Sequence, residues 1–141
     1  VSLPTPEPGL VVRFEYLWSE DARGGRETGS KVRPCVIVVA SRRTPNGTVE
    51  VLVAPITHSA PRDGDVAIEL PPEVKAALGL DDARSWMVAT ELNEFVWPGH
   101  DLRADARGRF DLGVLPPRTF SRLRSAILAS IRQGRLKRVS R

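Results

Sequence analysis

The chain has 141 residues and a mass of 15.5 kDa, with 41% apolar residues, enough for one domain with a real core. No run approaches the about 18 to 20 apolar residues of a membrane helix, and the opening VSLPTPEPG has neither the basic nor the apolar segment of a signal peptide, so a soluble, cytoplasmic protein is expected. One cysteine, Cys35, excludes an internal disulfide and a cysteine-based zinc cluster, and the net charge of +4 is unevenly spread, because residues 118–141 hold eight of the 21 basic residues and none of the 17 acidic ones.

Pro4, Pro6 and Pro8 mark an extended entry, and the alternation over residues 9–18 predicts a first strand. Residues 19–31 read as a long polar loop punctuated by Gly24-Gly25 and Gly29, a length that in a small domain points to function or disorder. Residues 32–41 are apolar at both phases of the two-residue period, which predicts a central strand buried on both faces. Thr44-Pro45-Asn46-Gly47 supplies a tight turn, with Pro presetting the first position and Gly accepting the left-handed one, and residues 49–57 return as the next strand.

Folding the chain about Pro45 pairs residues whose numbers sum to about 90, which sets Arg33 opposite Thr57 with Cβ atoms about 5 Å apart. Residues 65–70 predict a further strand, and Pro71-Pro72-Glu73 starts a short helix that ends at Gly79. Residues 85–91 and 95–97 read as strands broken by Asn93, followed by turns at residues 98–101 and 107–109. After Pro116-Pro117, the apolar stripe of Phe120, Leu123, Ile127 and Ile131 predicts a helix packed on the sheet. Residues 1–134 are therefore expected to form one domain and residues 135–141 a basic tail.

The chemistry centres on Arg33. A guanidinium fork beside the Thr57 hydroxyl suits a phosphodiester, the alternative for Arg33 being an ion pair with a loop carboxylate such as Glu27. Thr57 is also suited to capping a strand end. His58 is a candidate general acid or base, although strand alternation turns it away from Thr57, and a solvated loop histidine is the competing reading. Glu20, Asp21 and Glu27 are further candidate proton carriers, and His100 reads as a surface residue. Trp18, Trp86 and Trp97 sit in strand-like contexts that favour core packing over base stacking. Lys31 and the terminal Arg135, Lys137 and Arg138 are candidate RNA-binding cations. The terminus as a whole reads as a solvated tail, a nonspecific phosphate-binding arm or a contact for an acidic partner. The chain lacks the nucleotide-binding, zinc-protease and serine-hydrolase signatures.

Glu27-Thr28-Gly29 leading into Arg33-Pro34 and a valine-rich strand, then a strand closing in Ala54-Pro55-Ile56-Thr57, resembles the PemK/MazF family of toxin endoribonucleases over roughly residues 8–131. The spacing from Glu27 to Arg33 is one residue longer than the family pattern, and residues 71–112 are elaborated. The resemblance implies a mainly β, α+β fold, namely a small SH3-like antiparallel barrel with a short inserted helix and a C-terminal helix. It implies sequence-selective, metal-independent cleavage of single-stranded RNA by 2′-hydroxyl attack, with no cofactor, in a homodimer held in check by an acidic antitoxin protein. Arg33, Thr57, His58 and Glu91 are then the catalytic candidates, and Glu27 joins the RNA-binding set. Some members carry an Arg-x-Asp element on the strand that residues 87–91 resemble; Glu91 fills its acidic position, whereas Ala89 stands where the arginine would be. A non-enzymatic binder on the same fold, such as a gyrase poison like CcdB or a silent RNA-binding protein, is the alternative.

Overall fold

The computed structural model describes residues 3–27, 29, 31–43 and 45–141; Thr28 of the Glu27-Thr28-Gly29 segment and Thr44 of the expected turn lie outside the described residues. Among the described residues, eight strands and three helices follow in the order β1 (Leu10–Glu15), α1 (Ser19–Arg23), β2 (Val32–Arg42), β3 (Val49–Thr57), β4 (Ala67–Glu69), α2 (Pro72–Ala77), β5 (Trp86–Val88), β6 (Glu91–Val96), β7 (Asp111–Val114), α3 (Pro117–Arg132) and β8 (Lys137–Ser140). The strands form a mostly antiparallel sheet running β4-β5-β3-β2-β1-β7, with β6 attached to β3 and β8 to β6. This ladder does not close among the described residues, and β4 and β7 stand at its two ends.

The hairpin of β2 and β3 has the register expected from the turn, Cys35 opposite Pro55, Val36 opposite Ala54 and Ile37 opposite Val53. Strand β3 is the branch point, since Glu50 to Val53 pair with β6 whereas Ile56 and Thr57 pair with β5. Pro55, which has no N–H for a ladder, sits where the partner changes.

Alternation along β1, β2 and β3 feeds two cores. Val11, Val36, Ala54 and Ile56 join Leu123 and Ile127 of α3 in the first; Val12, Phe14, Cys35, Ile37, Val53 and Phe95 belong to the second, where the Phe14 and Phe95 rings stack with centroids 4.6 Å apart. Burial on both faces holds for Cys35, Val36 and Ile37 only. Beyond the register shift between Ile37 and Val39 the β2 side of the hairpin turns outward, with Val39 43% exposed, while Val51 of β3 stays fully buried in the second core.

Four further expectations are corrected. Asn93 does not break a strand but lies buried within β6, where its side chain accepts from the Leu17 N–H at 2.9 Å and donates to the Leu17 carbonyl at 2.8 Å, acting as a substitute backbone partner. The polar loop after β1 begins with α1. Ile131 is 52% exposed, and the buried face of α3 is instead Thr119, Leu123, Ile127 and Ser130. Residues 135–141 are not a free tail: β8 pairs in parallel with β6, Val139 is buried, and the Arg141 side chain is only 2% exposed. Arg141 donates to the Glu15 carbonyl at 2.7 Å and to Asp101 Oδ1 at 3.1 Å, which joins β8 to the end of β1.

Candidate functional site

Alternation places the site at the end of the second core. Arg33 has the phase of Cys35 and Ile37, Thr57 that of Val53 and Pro55, and Glu91 that of Asn93 and Phe95, so three strands direct one residue each towards the same end of the sheet. Arg33, Thr57 and Glu91 line a cavity of about 440 Å³ together with Trp18 and with Glu20 and Asp21 of α1. A Cβ at Gly29 would stand 2.3 Å from the Tyr16 carbonyl oxygen, so only glycine lets the chain entering β2 lie against the end of β1.

Arg33 is half-buried, and its guanidinium carbon stands 5.0 Å from the Trp18 ring centroid, within the range of a cation–π contact. Among the described residues it forms no ion pair; the expected alternative with Glu27 is not present, since Glu27 is exposed and offers only its carbonyl to Arg141. Arg33 Nε is buried without an acceptor, and burial pulls the guanidinium below its usual pKa range. A cation held on an aromatic face without a carboxylate is poised for an anion.

Glu91 lines the cavity with its oxygens already engaged. It accepts from the Tyr16 hydroxyl at 3.1 Å, the Ser19 N–H at 3.0 Å and the Ser19 hydroxyl at 3.1 Å, which anchors the start of α1 through one of its orphan donors. Burial, followed by the Glu91 charge, pushes the Tyr16 phenol up. Asp21 stands 3.8 Å from Arg26, and Asp65, also in the lining, 4.0 Å from Arg62. The Glu20 carboxylate has no hydrogen bond or ion pair among the described residues and is the most available in this cavity.

Thr57 and Arg33 also border a second, smaller cavity of about 140 Å³, and it is this one that His58 and Lys31 line. The opposite phase of His58 therefore sends it to the other side of the Arg33–Thr57 pair. His58 Nε2 stands 2.9 Å from Asp81 Oδ2, and Asp81 Oδ1 accepts from the buried Lys75 ammonium at 2.9 Å. Lys75 further donates to the Ser85 hydroxyl at 2.8 Å and to the Ala83 carbonyl. These hydrogen bonds from Lys75 and then His58 hold the Asp81 carboxyl down at about 2. Neither Lys75 nor Asp81 was among the sequence candidates; the only signal was a lysine beside Val74 and Leu78 on the apolar side of α2.

Of the terminal cations, Arg135 and Lys137 line a third cavity of about 370 Å³ that shares Asp65, Thr90 and Glu91 with the first. Arg138 is instead paired with Glu94. His100 is exposed. Trp86 is buried and Trp97 packs on the second core, so Trp18 is the tryptophan at the site. Among the described residues no group of three or more His, Cys, Asp or Glu side chains is arranged to hold a metal ion, and no helix is long and apolar enough to cross a membrane. No protein-family model matches the chain, and no curated protein matches it.

Proposed function

We propose that the protein is an endoribonuclease that cleaves single-stranded RNA by attack of the 2′-hydroxyl on its own phosphodiester. The observation that carries the reading is Arg33, a half-buried guanidinium lying on Trp18, without a carboxylate partner among the described residues, in the cavity wall beside Thr57. Arg33 and Thr57 would hold the non-bridging oxygens and stabilise the charge that builds on them as the phosphorus becomes pentacoordinate. A carboxylate in the larger cavity, of which Glu20 is the most available, would take the 2′-hydroxyl proton. The O2′–P bond forms, the P–O5′ bond breaks, and the products are a cyclic phosphate and a 5′-hydroxyl. The PemK/MazF resemblance supports the same chemistry without a metal. It also implies an SH3-like barrel, an acidic antitoxin partner and a homodimer, the last of which light scattering would reveal as about twice 15.5 kDa.

Incubating RNA with the purified protein in EDTA tests the proposal. Cleavage to cyclic-phosphate ends is expected, and Arg33→Ala should lower the rate at least about a hundredfold, because losing one such contact costs about 3 kcal/mol. Intact RNA, or near-normal cleavage by a folded Arg33→Ala protein, would refute it. A second reading, a non-enzymatic binder on the same fold, is favoured by one observation: the larger cavity is lined by four carboxylates against two guanidiniums. Three of those carboxylates are already bonded to neighbours, which is why the first reading is preferred.

A further inference from the structure

We infer that His58, oriented by Asp81 and Lys75, protonates the departing 5′-oxygen from the side of the phosphate opposite the carboxylates. The inference rests on the endoribonuclease reading. In an in-line displacement the attacking and leaving oxygens stand on opposite sides of phosphorus, so the base and the acid must approach from opposite sides as well. Arg33 and Thr57 border two cavities at once, with Glu20 and Asp21 in one and His58 in the other. A phosphate bound between that arginine and threonine would have its 2′ side towards the carboxylates and its 5′ side towards the imidazole.

The imidazole is held for this role. Lys75, almost fully buried, is fixed by three acceptors, Asp81, Ser85 and Ala83, and Asp81 also accepts from the Ala83 N–H at 3.2 Å. A carboxylate locked in this way fixes the His58 ring through Nε2 and leaves Nδ1 without a protein partner among the described residues. In the protonated ring Nε2–H stays on Asp81 while Nδ1 gives its proton to O5′, leaving a neutral imidazole still bound to the carboxylate. The other charged groups facing His58 are Lys31 and Arg33 across the small cavity, and Lys75 acts through Asp81. Asp81 also lines the small cavity, but it is a positioning residue, acting through the ring it holds at Nε2.

A leaving-group test separates this role from a structural one. Two oligonucleotides are compared, one with the ordinary 5′-oxygen and one with sulfur bridging at that position, whose thiolate departs without a proton. His58→Ala, an exposed substitution, should lower cleavage of the oxygen substrate about a hundredfold and leave the sulfur substrate within about threefold of wild type. Asp81→Asn should lower cleavage of the oxygen substrate about tenfold and spare the sulfur substrate, the pattern of a residue that acts only through the imidazole it orients. Equal losses on both substrates, or none on either, would overturn the inference while leaving the endoribonuclease reading in place. Failure of the wild-type protein to cleave either substrate would overturn that reading and the inference with it.

Discussion

At the scale of single residues the site depends on geometry more than on charge count. Arg33→Lys keeps the charge but loses both the planar fork and the contact with Trp18, so RNA cleavage should fall nearly as far as in Arg33→Ala, by at least about thirtyfold in single-turnover assays. Wild-type rates for the lysine variant would mean that a point charge suffices. Asp81 makes a prediction about acid stability. Its folded pKa of about 2 lies below the ordinary carboxylate value of about 3.9, so the stability it contributes is fully present above about pH 4 and is lost as the pH falls towards 2. Urea midpoints measured across that window should drop less steeply for Asp81→Asn than for wild type, and parallel curves would show that the Lys75 and His58 contacts add nothing in solution.

Among the elements, β8 changes what the basic terminus is for. Truncation after Gly134 removes Val139 from a buried position and Arg141 from its acceptors on Glu15 and Asp101. Burying a valine is worth about 1.5 to 3 kcal/mol, and hydrogen bonds to a charged group about as much again, so the truncated protein should lose at least about 3 kcal/mol in urea unfolding. Arg141→Ala alone should lose about 2 kcal/mol. Unchanged midpoints would mean that the strand adds no stability. Why this strand was invisible in the sequence is plain from its residues: Lys-Arg-Val-Ser has one apolar side chain, and its partner β6 lies more than forty residues earlier, beyond any local pattern. The hairpin was legible because its own turn sets its register. The pairing of Arg33 with Thr57 followed from the same register, Glu91 came only from the family resemblance, and Asn93 misled because a buried amide that replaces a backbone partner looks like a strand breaker until Leu17 is seen beside it. Helix α1 carried its own cues, Glu20 and Asp21 in its first turn and Arg23 in its last.

Across the whole molecule the charge asymmetry persists, but only part of it faces the site. Arg135 and Lys137 border a cavity that shares Asp65, Thr90 and Glu91 with the Arg33 cavity, while Arg138 and Arg141 are spent on Glu94 and Asp101. Replacing Arg135 and Lys137 by Ser should therefore weaken RNA binding and flatten the dependence of log affinity on log salt by up to about 1.4, at about 0.7 per phosphate contact on a single strand. The same change at Arg138 should leave the slope alone. Equal slopes for all three proteins would place the RNA elsewhere on the surface.

Cys35 offers a different kind of leverage. It is the chain's one thiol, fully buried in the middle strand between Val12 and Pro55, two residues from Arg33, and burial pushes its pKa up. Alkylation of this sulfur requires β2 to part from a neighbour, so the modification rate becomes a clock for the opening of the strand that carries the arginine. Iodoacetamide should react with the native protein far more slowly than with the urea-unfolded chain. An RNA oligonucleotide that seats on Arg33 must slow it again, by about a hundredfold at a hundred times its dissociation constant, whether or not the RNA is cut. A reaction rate indifferent to RNA would mean that the ligand does not need β2 in place. A buried thiol that lines neither cavity is thus the means of timing how often the site comes apart.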